Sequence, residues 1–138
     1  MFKRIILTLV IALWCSNLIA AELSVIVHPA NSASLDEAEI ARIFTGRSGV
    51  FADGRTAVPV NLSDKVASRA IFDEKVLGRS SSQVKAYWSK LLFTGKGTPP
   101  KEVDSDQEVI ELVKNNPNII GYIATENVTG DVKTVLKF

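Results

Sequence analysis

Beyond the first twenty or so residues, apolar and polar positions alternate between a period near two and a period near 3.6, and each switch marks an element. Leu23–His28 is a β-branched run ended by Pro29 and the polar stretch Asn31–Ser34, which predicts a strand. Ser34-Leu35-Asp36-Glu37 has the form of a capping box; Ile40, Ile43 and Phe44 follow at helical spacing, and Gly46 supplies the stop. Arg47–Thr56, with Gly49 and the Asp53-Gly54 pair, reads as a loop. Ala57–Leu62 is a second strand, in which Pro59 signals an edge position or an irregularity. Ser63-Asp64 then caps a helix whose apolar positions Val66, Ala70, Phe72, Val76 and Leu77 run to Gly78.

The second half repeats the alternation. Ser80-Ser81-Ser82 opens a helix with Val84, Tyr87, Trp88, Leu91 and Leu92 as one apolar stripe, and Thr94–Pro100 is a surface loop. Glu102-Val103 is a very short strand. Ser105–Glu108 is a second capping box, leading a helix with Val109, Ile110, Leu112 and Val113. Asn115–Asn118 breaks it, Ile119–Ala124 is a buried strand, and Val132–Phe138 alternates as a last one. Strands alternating with helices predict an α/β fold: a mixed, mostly parallel sheet with helices on both faces.

Composition changes this picture mainly at the start. Lys3-Arg4, the apolar run Ile5–Trp14 and the small pair Ala20-Ala21 form the pattern of a cleavable signal peptide, 1–21, with cleavage after Ala20 or Ala21. Ser16 and Asn17 interrupt the apolar run, which argues against an uncleaved anchor. Bulky Trp14 before Cys15 argues against lipid attachment there. Two of the 16 Lys+Arg fall in this segment, so the domain 22–138 carries 14 basic against 15 acidic residues, and the sole cysteine is lost. One domain exported to the periplasm is expected, with a core large enough to fold without disulfides. The near-neutral balance argues against nucleic acid as partner, and no later stretch approaches the ~20 apolar residues of a membrane span.

Candidate chemistry is sparse. His28 is the single histidine, and a strand-end residue beside Pro29 is its simpler reading. No serine stands in a nucleophile elbow. The acidic pairs Asp73-Glu74, Asp104/Asp106 and Glu108/Glu111 read as solvated faces and helix-start charges. No catalytic residue, metal site or cofactor is expected. Tyr87-Trp88 reads as core and Lys96 as a solvated turn. The passage from the second strand into the next helix is the richest place: a helix start offers unpaired N–H groups, with Ser63, Ser68 and Arg69 nearby.

The order of motifs also carries a resemblance. Ile43-Phe44-Thr45-Gly46, then Ala52-Asp53-Gly54-Arg55, then Val58-Pro59-Val60 resembles the second lobe of phosphate-type ABC-transporter substrate-binding proteins. Tyr87-Trp88, Gly95-Lys96-Gly97, Asp106–Ile110 and Asn116–Ile123 continue the same order, so the resemblance covers nearly all of Leu23–Phe138. It implies a single lobe of a type 2 periplasmic-binding fold whose ligand loop is Ser63, Asp64, Lys65, Val66, Ala67, Ser68 and Arg69. The family loop reads R-S-D-G-S-G-T-R. Ser63, Asp64 and Arg69 match it and Ser68 replaces Thr, while Leu62 stands at the anion-contacting Arg, Val66 at a donor Ser and Ala67 at a Gly. The implied function is binding of phosphate or another small oxyanion through a degenerate loop, without enzymatic activity. If the alignment is right, Leu62→Arg with Val66→Ser should raise phosphate affinity. The alternative is an interaction module that has lost solute binding and docks to an envelope protein or a second copy of itself.

Overall fold

The computed structural model describes residues 22–138; the signal-peptide reading of Met1–Ala21 lies outside them. In chain order the elements are β1 (Leu23–Val27), α1 (Glu37–Phe44), β2 (Val58–Leu62), α2 (Ala67–Phe72), α3 (Ser81–Phe93), β3 (Lys101–Val103), α4 (Asp106–Asn115), β4 (Ile119–Ala124) and β5 (Lys133–Lys137). A π-helical turn, Asp73–Leu77, extends α2. The five strands form one mixed sheet in the order β3-β2-β4-β1-β5. β2 is parallel to β3 and β4, whereas β1 is antiparallel to both β4 and β5. The strand that runs against the rest is thus the first one, inserted between the last two, and all five of its residues are buried. Pro59 lies inside the sheet, where β2 changes partner: Val58 and Pro59 pair with β4, and Val60 to Leu62 with β3. Its missing N–H is placed at that irregularity rather than in a continuous ladder.

Adjacent residues of β4 define the two faces, because successive strand side chains point opposite ways. On one face Tyr122 stacks on Phe72 of α2, centroids 3.8 Å apart, and meets Phe44 of α1 edge-on at 5.9 Å. On the other, Gly121 lies under α4: a Cβ built there would sit 2.5 Å from Val109 Cγ1 and 3.8 Å from Val113 Cγ2. Helices therefore cover both faces. At the end of α1, Gly46 takes φ +74°, and a Cβ there would meet the Trp88 ring at 2.9 Å, so α1 closes against α3 only through a glycine.

The helix starts differ in part from the sequence reading. α1 uses a capping box two residues later, Asp36 with Glu39 instead of Ser34 with Glu37. Asp36 Oδ1 accepts from Glu39 N at 2.8 Å. This choice puts Leu35 just before the cap and Ile40 four residues into the helix, both buried in the core, the arrangement of a hydrophobic staple. At α4 Ser105 caps as expected, but Glu108 reaches Asp104 N rather than the cap's own N–H. α3 starts on a Ser80–Gln83 box. Its apolar stripe ends sooner than expected, with Leu92 52% exposed.

Gly121→Ala should lower stability by about 1–3 kcal/mol, the cost of overpacking a closed site. Urea denaturation checks this, and Val109→Ala in the same chain should recover part of the loss.

Candidate functional site

The carboxyl ends of β2, β3 and β4 point to one side of the sheet, where ligands bind in open α/β folds. A groove of about 710 Å³ lies there. Val66 and Ser68 form one wall, Ser105, Asp106 and Ile110 of the α4 start another, and Ala124 closes it at the end of β4. The groove is acidic: Asp106, Glu111 and Asp131 stand against Lys114 alone. Lys114 is bridged to Glu111 at 3.0 Å, and that bond holds its ammonium pKa up. Asp106 is also engaged, its Oδ2 accepting from Ala124 N at 3.1 Å and Asn127 Nδ2 at 2.8 Å.

The loop singled out in the sequence is divided among four places. Val66 and Ser68 reach the groove. Asp64 and Arg69 line a different hollow of about 420 Å³, shared with Lys85, Leu92 and Glu102. Ser63 is turned inward: its N–H donates to Val103 O at 2.8 Å, and its buried hydroxyl has no partner. Lys65 and Ala67 are exposed. Neither Ser63 nor Asp64 caps α2. The N-cap is Val66, which supplies no side-chain hydrogen bond, so the first-turn N–H groups have no acceptor from the cap side chain. Ser63 is consumed by extending the β2–β3 pairing by one residue, which delays the helix to Ala67.

Arg69 is structural in these surroundings. Its Nε donates to Asp73 Oδ2 at 2.9 Å, and its Nη1 donates to both Leu62 O and Glu102 Oε1 at 2.8 Å. Ser81 Oγ donates to the same Asp73 oxygen at 2.8 Å. Asp73 is fully buried, and its other oxygen has no partner. Burial pushes the Asp73 carboxyl above the usual carboxylate range, against the pull of Ser81 and Arg69. Burial opposes the Arg69 charge too, but the bonds to Glu102 and Asp73 outweigh it and its pKa moves up.

Leu62, which the resemblance puts at an anion-contacting Arg, is a fully buried core side chain. Its N–H donates to the Tyr122 hydroxyl at 3.4 Å, and that hydroxyl donates to Asn61 Oδ1. Burial raises the Tyr122 phenol pKa well above its usual value. An arginine at position 62 would be forced into this apolar layer, so the double substitution suggested by sequence alone is a poor graft; only its Val66→Ser half reaches the groove. Of the remaining candidates, Asp73 departs from its reading as a solvated or helix-start charge, because it is fully buried against Arg69. His28 Nδ1 accepts from Ala30 N at 3.0 Å at the strand end. The Tyr87 hydroxyl donates to Thr45 O at 2.6 Å, and Trp88 is buried. Among the described residues, no group of three or more His, Cys, Asp or Glu is placed to hold a metal ion.

Sequence reasoning missed the far side of the groove. Asp106 and Glu111 of α4 and Asp131 after β4 all lie far along the chain from Ser68, and only the sheet order brings them opposite it. The available signal was the Ser105-Asp106 helix start after a parallel strand.

Against solved proteins, the match lies with phosphate receptors. A putative phosphate ABC transporter substrate-binding protein with bound phosphate from Clostridium perfringens superposes with TM-score 0.66 at 24% identity, over 83% of this chain and 45% of that one. An ABC-type phosphate transport receptor from Vibrio cholerae gives 0.64 at 20% identity, over 83% and 46%. PstS from Borrelia burgdorferi gives 0.62 at 17%, over 83% and 47%. The chain shares their fold. It spans less than half the length of each of these proteins. These neighbours are named as binding proteins and receptors, not as enzymes. No family model and no curated protein matches the sequence. Among the described residues no helix is long and apolar enough to cross a membrane.

Because Arg69 serves the fold, Arg69→Met should cost about 3–5 kcal/mol by leaving Asp73 buried without its cation. Adding Asp73→Leu should return most of that loss. A ligand-contacting Arg69 would instead leave the urea midpoint nearly unchanged.

Proposed function

We propose that the chain is an exported solute-binding lobe of the phosphate-receptor type, working in the periplasm after removal of Met1–Ala21, and that it binds rather than catalyses. The ligand class is a small oxyanion held weakly at the groove. The carrying observation is the groove itself: it lies at the carboxyl ends of the parallel strands, and Ser68 stands on its wall beside a helix start without a side-chain cap. The contacts available are the main-chain N–H groups of Ala67 and Ser68 and the Ser68 hydroxyl, since the Val66 N–H already donates to Ser63 O. Likeness of fold to a protein with bound phosphate supports the ligand class.

Three features set the affinity low. Leu62 and Val66 offer no donor, Arg69 is committed to Asp73 and Glu102, and the opposite wall carries an excess of carboxylates. The groove is also open to water, which keeps the effective dielectric high and each charge-assisted bond weak. Of the two residues that suggest an interaction module, Leu62 is explained by the core, and Val66 is one apolar side chain on an otherwise largely polar groove wall.

Calorimetric titration of the polypeptide Glu22–Phe138 with phosphate and with sulfate should give dissociation constants of about 1 mM or weaker. Ser68→Ala should abolish the heat. Val66→Ser, adding one donor on the groove wall, should tighten binding by about tenfold, the worth of one hydrogen bond to a charged group. Absence of heat together with unshifted amide resonances at Ala67 and Ser68 at saturating anion would overturn the reading.

A further inference from the structure

The acidic and basic residues of this chain are unevenly divided. From Lys75 to Lys101 there are six Lys and Arg and no Asp or Glu, so the rest of Glu22–Phe138 holds all 15 acidic residues. The centre of that acid-free segment is α3, and α3 leaves two large apolar side chains in solvent: Leu92, 52% exposed, and Phe93, 94% exposed. At about 100° per residue, Phe93 falls about 180° from the buried Val84, so it projects from the outer face of the helix. Lys85 and Lys90 fall about 80° and 60° to either side of it, with only Ser82, Ala86 and Ser89 between. Lys96 follows in the adjoining loop and is exposed, whereas Lys101 of β3 shares a hollow with Glu102, Asp104, Glu108 and Glu111 and is not part of this face. Asp64 and Glu102 line the hollow that Lys85 also borders, and Glu102 is already bonded to Arg69.

We infer that the outer face of α3 is a docking surface for an anionic lipid bilayer, with Phe93 entering the headgroup–acyl boundary and Lys85, Lys90 and Lys96 meeting lipid phosphates. Charge complementarity selects the occupant: an acid-free row of ammonium groups around a protruding aromatic matches an anionic interface. The makeup of the outer face favours a bilayer over a folded partner. A single aromatic standing on small residues offers a protein little area to bury, whereas a fluid interface adapts to one inserted ring. The acidic remainder of the chain is repelled by the same surface, which fixes the orientation of the bound molecule. This inference is independent of the solute reading, since it uses no residue of the groove.

The test is co-sedimentation of Glu22–Phe138, which holds every described element and the whole described core, with two kinds of vesicle: phosphatidylcholine alone, and phosphatidylcholine mixed with phosphatidylglycerol. Binding is expected to the mixed vesicles only and should fall as salt rises. Lys85→Gln with Lys90→Gln should lower the partition coefficient roughly 25-fold, at about fivefold per ammonium near an anionic surface. Phe93→Ser should lower it further and shorten the bound lifetime. All three positions are exposed, and circular dichroism of the variants verifies that the fold is kept. Equal partition to both vesicles, no partition to either, or wild-type partition in the variants would overturn the proposal. Self-association on sedimentation without vesicle binding would also overturn it and assign the face to a second copy.

Discussion

The Arg69 guanidinium is the junction on which the domain depends. It reaches the last carbonyl of β2 at Leu62, Glu102 of β3 and Asp73 of the π-turn, and through Asp73 it engages Ser81 at the start of α3. Five consecutive pieces of the chain thus meet at one cation. At an effective dielectric of about 20 and roughly 3 Å, an ion pair gains about 5–6 kcal/mol. Removing two ions from water costs several kcal/mol each. The net contribution to stability is therefore small, and the larger effect is on specificity: a different register of β2, β3 or the π-turn would leave a buried charge unpaired. The unbonded Asp73 oxygen marks how narrow that balance is.

That junction also determines what the groove face lacks. An arginine committed to two carboxylates and a carbonyl has little positive potential left for an external anion. Leu62 presents its carbonyl to this arginine and its side chain to the core, so neither donates outward. The motif that resembles a phosphate loop in sequence has consequently kept its scaffold members, Ser63 and Arg69, and lost its side-chain donors. Ser68 and the main chain remain at the groove, opposite carboxylates already engaged in holding β4 and the turn after it.

The sequence made the elements legible because their signals are local. Periodicity located all five strands and four of the helix starts to within a few residues, and the glycines at 46 and 78 ended helices as expected. Where two local signals competed, the core decided. Ser34 and Asp36 both head a capping box, and only Asp36 leaves Leu35 and Ile40 free to be buried together. The site was less legible because its geometry is set by sheet order. Ser63 was read as a helix cap from its neighbours, yet its N–H pairs with Val103, forty residues away. Nothing local to Ser63–Arg69 reveals that β3 lies alongside and withdraws both Ser63 and Arg69 from solvent. Position 92 failed for the opposite reason: the stripe through Val84, Trp88 and Leu91 is real, but the wheel has rotated Leu92 outward by the last turn.

Net charge was the least informative quantity of all. A balance of 14 to 15 suggests a surface with no electrical preference, but charges interact over a screening length of about 8 Å at physiological salt. A partner approaching α3 meets lysines and no free carboxylate on that helix, while a solute entering the groove meets three carboxylates and one paired lysine. The average of these two fields describes neither. The same partition bears on both proposals: a phosphate-type anion would have to overcome the groove's negative field, whereas an anionic bilayer at α3 would meet the ammonium groups of an acid-free helix. An exposed phenylalanine forgoes about 1.5–3 kcal/mol of burial on folding, so α3 ends on a cost that the fold itself does not recover.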